Sequence, residues 1–415
     1  MGSVQKTFVM KSGERYCLLV DSAGLPLYFP CLYISTQVRN KSLSFSAMQS
    51  TLSGVSVLNR FLDERKEDLQ LRFYEGRFFD DSELDALRDY CQIKFRTSTA
   101  HKDHSGMFTL DELRGSEEKV SSTTEYVRLT IIAKYMKWLA EHTLGVSSDR
   151  LSVLRIAKME KALKSRRPMK KNRNAEIDMK GLTEEQLDLL FELFRIESDF
   201  NPFKNRSIRT RNRLIFLMLY HLGLRGGELL NVRIRDIDFS SNQLIVARRA
   251  DEKDDPRKDQ PLVKTLDRRL PLRDTLAEEL HDYILHDRKA VANSSKNDFL
   301  FITHKSGPTQ GHPLSRSAYK KVMGLVKSVS PSLFNLTGHQ LRHAWNEAFS
   351  NQMDSMDESP SEEQQEKVRS YLMGWREGSG TAATYNKRFI RRKANEAAID
   401  LQEGMIRLPK GVSNE

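Results

Sequence analysis

The sequence predicts an α+β fold that is mostly helical, with a helical domain followed by a mixed domain carrying a small antiparallel sheet. Three observations lead there. Apolar residues recur at spacings of three and four in both halves, as at Leu52, Val55, Leu58 and Leu62. Strand-like runs are few and short, chiefly "NQLIVARRA" and "VKTLDRRLPL". A basic stretch lies between the halves, with seven Lys and Arg from Lys161 to Arg173, one proline, and almost no apolar content after Leu163. A chain of 415 residues is also too long for one ordinary core.

Residues 1–42 read as extended. "RYCLLVD", a turn at "SAGLP" and then "LYFPCLYI" form a hairpin-like pattern. The segment suits a small appended DNA-binding element or, at least equally, a flap on the next domain. From 43 to 160 the pattern is helical. "STLSGVSVLNRFLDERKEDLQ" carries the first apolar stripe, and "DDSELDALRDYCQIKF" opens with acidic capping residues. "STTEYVRLTIIAKYMKWLAEH" starts near Thr123 or Thr124, with Leu129, Ile132, Tyr135, Met136 and Leu139 on one face. Residues 161–180 read as an exposed linker. Its Arg166, Arg167, Lys170, Lys171 and Arg173 are either a solvated charge run or a strap for a phosphate backbone. The second domain, 181–415, opens with a Thr183/Gln186 capping box before "LDLLFELF". A buried helix, "RNRLIFLMLYHLGL", follows. The two strands come next, separated by the charged segment Asp251 to Gln260, and helices run from Thr275 to the end.

The net charge of +11 points to a polyanionic partner, most often nucleic acid, with solubility as the plain alternative. Cys17, Cys31 and Cys91 are too few and too scattered for a disulfide framework or a zinc site, which suits a reducing cytoplasm. The longest apolar run, Leu214 to Leu224, is 11 residues, too short to span a bilayer. The first residues lack an apolar signal core and, with Lys6, the myristoylation pattern.

Four stretches could carry chemistry. In "HLGLRGGELL", Arg225 precedes two glycines that allow close backbone approach to whatever the guanidinium holds, and Glu228 can brace it. An ordinary salt bridge at a helix end competes with this reading. Lys264 sits near a hairpin tip, where lysines are usually solvated but can donate a proton or pair with phosphate. In "TGHQLRHAW", Thr337 and Gln340 form a capping box, so His339 and Arg342 fall in the first two helical turns. There the helix dipole favours an anion. His339 and His343 stand four apart, as metal ligands can, but Arg342 between them and the lack of a nearby third ligand disfavour a metal. His343 is expected to be a packing residue. Last, "LMGWREGSGTAATYNKRFIRR" places Tyr385 after a glycine-rich turn and before four basic residues, where a tyrosine can serve as a nucleophile. A core tyrosine is the commoner case.

Taken in order, Arg225 with Glu228, Lys264, His339-x-x-Arg342, Gly374-Trp375 and Tyr385 resemble the signature of the tyrosine recombinases, the phage integrase family. The resemblance covers about 183–390 strongly and the helical 43–160 region more loosely. It implies a tyrosine recombinase-like fold, with a core DNA-binding domain and a catalytic domain. The family usually has histidine where this chain has Trp375, which implies hydrogen bonding and packing there rather than proton transfer. The segment before Lys264 is longer than usual, so Lys258 competes for the lysine role; "KTLDRRLPL" favours Lys264.

The resemblance further implies a site-specific recombinase or integrase acting on double-stranded DNA. Tyr385 would attack the scissile phosphate and form a 3′-phosphotyrosyl bond. Arg225 and Arg342 would grip the phosphoryl oxygens, with Trp375 adding an indole donor. Lys264 would protonate the leaving 5′-oxygen, and His339 would assist proton transfer. No metal, nucleotide cofactor or membrane is expected. A homotetramer on DNA (monomer or dimer when free) and a cytoplasmic, nucleoid-associated setting in a bacterium or phage are expected. The tail from Phe389 to Leu401 is expected to be a helix docking on a neighbouring protomer or on its own chain. The rival readings are a type IB topoisomerase-like enzyme and a catalytically silent DNA-binding regulator. The acidic loop 354–366 reads as a solvated spacer.

Overall fold

The computed structural model describes residues 3–95, 118–145, 149–169, 181–263, 265–291, 293–356, 360–377, 395 and 397–402. The chain forms two compact units, one from Met1–Met10 with Arg15–Glu176 and one from Lys11–Glu14 with Ile177–Glu415. The predicted α+β, mostly helical class is what is found, with a two-stranded and a three-stranded antiparallel sheet among many helices.

In the first unit β1 (Val4–Val9) pairs antiparallel with β2 (Arg15–Val20), in register Val4 with Val20. The expected turn at "SAGLP" exists, closed by Asp21 accepting from the N–H groups of Ala23 and Leu25. The expected second strand does not. "LYFPCLYI" is helical, with α1 (Tyr28–Tyr33) running on as a π-helical turn over Ile34–Arg39. Its aromatic and β-branched content reads locally as strand. Packing decides otherwise, because Tyr33, Ile34 and Val38 all enter one core, with Tyr33 edge-on to Tyr135 at 5.2 Å. Tyr16, Cys17 and Leu19 of β2 share that core with the helices.

The predicted stripe lines α2 (Phe45–Arg65), where Leu52, Val55, Leu58 and Leu62 are all buried. A short α3 (Leu69–Tyr74) follows. Asp80 and Glu83 form the capping box of α4 (Asp81–Gln92). The cap of α5 (Ser122–Leu144) is Ser121, slightly before the expected threonines. Gly54 lets α2 approach α5 closely, since a Cβ there would stand 2.7 Å from Ile131 Cγ2. The sixth helix, α6 (Arg150–Ser165), runs into the segment expected to be linker and buries Leu163. All three cysteines are free thiols. Burial pushes the Cys17 and Cys91 thiols up to about 12.

The second unit begins with α7 (Glu184–Phe194), capped by the predicted Thr183/Gln186 box, and the largely buried α8 (Arg206–His221). The short α9 (Gly226–Leu229) leads to β3 (Ile237–Asp238), β4 (Gln243–Val246) and β5 (Arg268–Pro271), paired in that order. The charged segment between the last two strands is partly internal: Asp255 pairs with Arg257, which also donates to the carbonyls of Leu230 and Leu314. Further α-helices among the described residues are α10 (Asp274–Tyr283), α11 (Arg316–Lys327), α12 (Gly338–Asp354) and α13 (Glu362–Met373). They enclose a core around Leu219, Leu229, Leu270, Leu280 and Leu341. Among the described residues no helix is long and apolar enough to cross a membrane.

Candidate active site

The site grows from one buried carboxylate. Arg225 caps α9, and Glu228 in its first turn accepts from the Arg225 backbone N–H at 3.0 Å. Glu228 is 1% exposed. It takes 2.7 Å and 2.8 Å hydrogen bonds from Thr265 Oγ1 and Arg268 Nη2. Arg342 Nη1 stands 4.0 Å from it. The expected brace on the Arg225 guanidinium is present but long, at 3.4 Å. Burial alone would raise the Glu228 carboxyl. Arg268, then Arg342 and the Thr265 hydroxyl, outweigh that and hold it below its ordinary value. Three guanidinium groups around one carboxylate leave the cluster net positive, which is an electrostatic setting for an anion.

The two glycines after Arg225 do not open space for a ligand, as the sequence suggested. A Cβ on Gly226 would meet the Tyr319 ring at 3.1 Å, and one on Gly227 the Leu262 carbonyl at 3.0 Å. They are small because the protein's own chain passes there.

The Thr337/Gln340 capping box starts α12 as predicted. Along that helix the side chains part. His339 is exposed and His343 half-buried, with their rings edge-to-face at 4.4 Å. Arg342 turns inward and is 1% exposed. Its Nη1 donates to the Gly223 carbonyl at 2.6 Å and its Nη2 to the Met373 carbonyl at 3.0 Å. It thus ties the arginine box to the Gly-Trp box. Among the described residues no three of His, Cys, Asp and Glu are grouped as metal ligands.

Gly374 ends α13 in the left-handed region, at φ 65°. Its carbonyl accepts from the Leu266 N–H at 2.9 Å, and a Cβ would fall 2.8 Å from Thr265 Cβ. This contact joins the turn after position 264 to Trp375. Trp375 is buried against Met373 and Trp345, with Arg342 Cζ 5.4 Å from its ring.

The structure therefore gathers Arg225, Glu228, Arg342 and Trp375, with His339 at the helix start. Lys264 and Tyr385 lie outside the described residues, as do Lys170, Lys171 and Arg173. Arg166 and Arg167, expected to hold DNA, work within the first unit. Arg166 pairs with Asp81 and Asp85, and Arg167 covers the Tyr126 ring at 4.6 Å. Thr265 and Arg268 were not singled out by sequence. The available signal was strand alternation: Arg268 and Leu270 face inward while Arg269 and Pro271 face out.

The chain is similar to known proteins over part of its length. The model of the phage integrase family matches residues 180–388. The tyrosine recombinase XerA of Pyrococcus horikoshii is 32% identical over 136 residues, 32% of this chain and 39% of that protein. Transposase A from transposon Tn554 of Staphylococcus aureus is 30% identical over 135 residues, 32% of this chain and 34% of its own length. The match thus spans less than half of these curated relatives. Among solved structures, XerH recombinase bound to its difH substrate is similar over 90% of both chains, at 12% identity and a TM-score of 0.49. The Tn1549 transposon integrase in complex with circular intermediate DNA covers 67% of this chain and 81% of its own, at 16% identity and a TM-score of 0.39. With its family model matched across half its length and over all the boxes that build the site, the chain belongs to the phage integrase family.

Proposed function

We propose that the chain is a site-specific DNA recombinase or integrase that cuts and rejoins duplex DNA through a 3′-phosphotyrosyl intermediate. The observation that carries this reading is the convergence of Arg225, Arg268 and Arg342 on buried Glu228, drawn from three separated stretches of chain. Tyr385 Oη attacks the scissile phosphorus, the P–O5′ bond breaks, and Lys264 protonates the departing 5′-oxygen. Charge builds on the non-bridging oxygens, where preorganised guanidinium donors act most strongly. Arg225 is the partly exposed one, with a side chain 31% accessible, and is the first to meet the phosphate. Arg342 locks the site's parts together and supplies positive charge from behind, a different emphasis from the direct grip that the sequence suggests. His339, exposed at the start of α12, handles the tyrosine proton. The phosphotyrosyl bond keeps the energy of the cut bond, so religation to another strand is nearly neutral. Exchange between two duplexes then calls for an assembly of four protomers on DNA.

The test is a nicked suicide duplex carrying the chain's own site. Wild type should accumulate a covalent protein–DNA adduct without divalent metal, and Tyr385→Phe should bind the duplex but form none. An adduct persisting in Tyr385→Phe, or one formed only with added Mg²⁺, overturns the reading. Relaxation of supercoiled DNA of any sequence by a monomer would favour the topoisomerase-like alternative.

A further inference from the structure

An open cleft of about 740 Å³ lies within the second unit, lined along α11 by Ala318, Lys321, Val322 and Leu325. That volume is in the range of small-molecule sites, roughly 300–1,000 Å³. Its charge is one-sided. Lys204, Lys305, His312 and Lys321 line it, and none of the lining residues is Asp or Glu. Two helix starts open onto it, α8 capped by Asn205 and α11 capped by Ser315. The independent observation is at its inner wall. Asn212 lines the cleft and is 0% exposed. Its Oδ1 accepts from Arg211 Nε and Nη2 at 3.1 and 2.8 Å. Its Nδ2 donor has no hydrogen-bond partner among the described residues. A buried amide donor without an acceptor is destabilising, so an acceptor at the inner wall is its natural completion. The rest of the wall is apolar, including Ile208, Leu314 and Leu325.

We propose that this cleft binds a nucleotide, with its phosphate among the lysines and helix starts and its base against the apolar wall. The nucleotide comes either from the free pool or from an unpaired DNA strand. The cations are held outside the cluster around Glu228, so this is a second phosphate site and not an extension of the first.

The test is calorimetric titration of the full chain with a deoxynucleoside 5′-monophosphate. The mononucleotide should bind saturably, and the nucleoside without phosphate more weakly. Lys204→Glu with Lys321→Glu should weaken the mononucleotide at least about tenfold, with the circular dichroism spectrum unchanged. Arg225→Ala should leave that affinity where it was. Competition by a single-stranded oligonucleotide names the strand as the source, and lack of competition names the free nucleotide. No saturable binding by wild type, or equal binding by the double variant, overturns the proposal. So does loss of binding in Arg225→Ala alone, which would put the ligand at the active site.

Discussion

Glu228 sets the terms at the scale of single residues. Its removal would leave the Arg268 and Arg342 side chains, each 1% exposed, without their shared carboxylate. Uncompensated buried charge of this kind typically costs about 3–5 kcal/mol, so Glu228→Ala should lower unfolding stability by about that much in urea denaturation. A loss below about 1 kcal/mol would mean that the two arginines are solvated. Arg225→Ala should cost far less stability, because its pairing with Glu228 is long and partly exposed. It should nonetheless suppress adduct formation. The two measurements thus separate the arginine that binds from those that hold. The sign of the pH effect follows from the lowered Glu228 carboxyl. Its stabilisation is complete above the unfolded carboxylate range and is lost as pH falls through the lower folded value.

Element ends, not element middles, assemble the site. Gly374 closes α13 with positive φ while its carbonyl binds the turn that leads into β5. Gly374→Ala should therefore cost about 1–3 kcal/mol of stability and weaken adduct formation together. Unchanged melting with full activity would show that the turn can shift. A second device joins α8, α10 and the 299–304 segment. His304 is buried, hydrogen-bonded to Ser207 and, at 3.0 Å, to Tyr283 Oη. Burial first, then Arg211 and Arg288, bring its imidazole down to about 3. The unfolded chain then binds a proton that the folded chain refuses, so stability should rise between pH 3 and about 6.5. A His304→Gln variant should show a flatter stability profile over that window. These helix starts were legible in the sequence wherever a capping box is local, as at Thr183/Gln186 and Thr337/Gln340. The turn conformation of Gly374 was not, since its reason is a contact with residues more than a hundred positions away.

For the whole molecule, the net charge of +11 makes the proposed affinity for duplex DNA a counterion-release problem. Binding should weaken by at least about tenfold between 50 and 200 mM salt, as measured by fluorescence anisotropy. A salt-independent affinity would mean that few phosphates are contacted. Part of the positive charge is spent internally, however. Arg166 pairs with Asp81 and Asp85, and Arg257 with Asp255, so charge-reversal scans should find them important for stability before binding.

The sequence by itself determined the mostly helical class, the apolar stripes of α2 and α5, the burial of α8, the capping boxes, and the order of the boxes that identify the family. All of these depend on residues within one or two turns of each other or on residue type alone. Tertiary structure alone decided that 28–39 is helix, that the glycines after Arg225 make room for Tyr319 and Leu262, and that Arg268 joins Glu228. It also decided that Arg342 points inward to the carbonyls of Gly223 and Met373. The physical reason is common to all four. Burial and hydrogen-bond partners are set by which distant surfaces meet, and local periodicity carries no record of that.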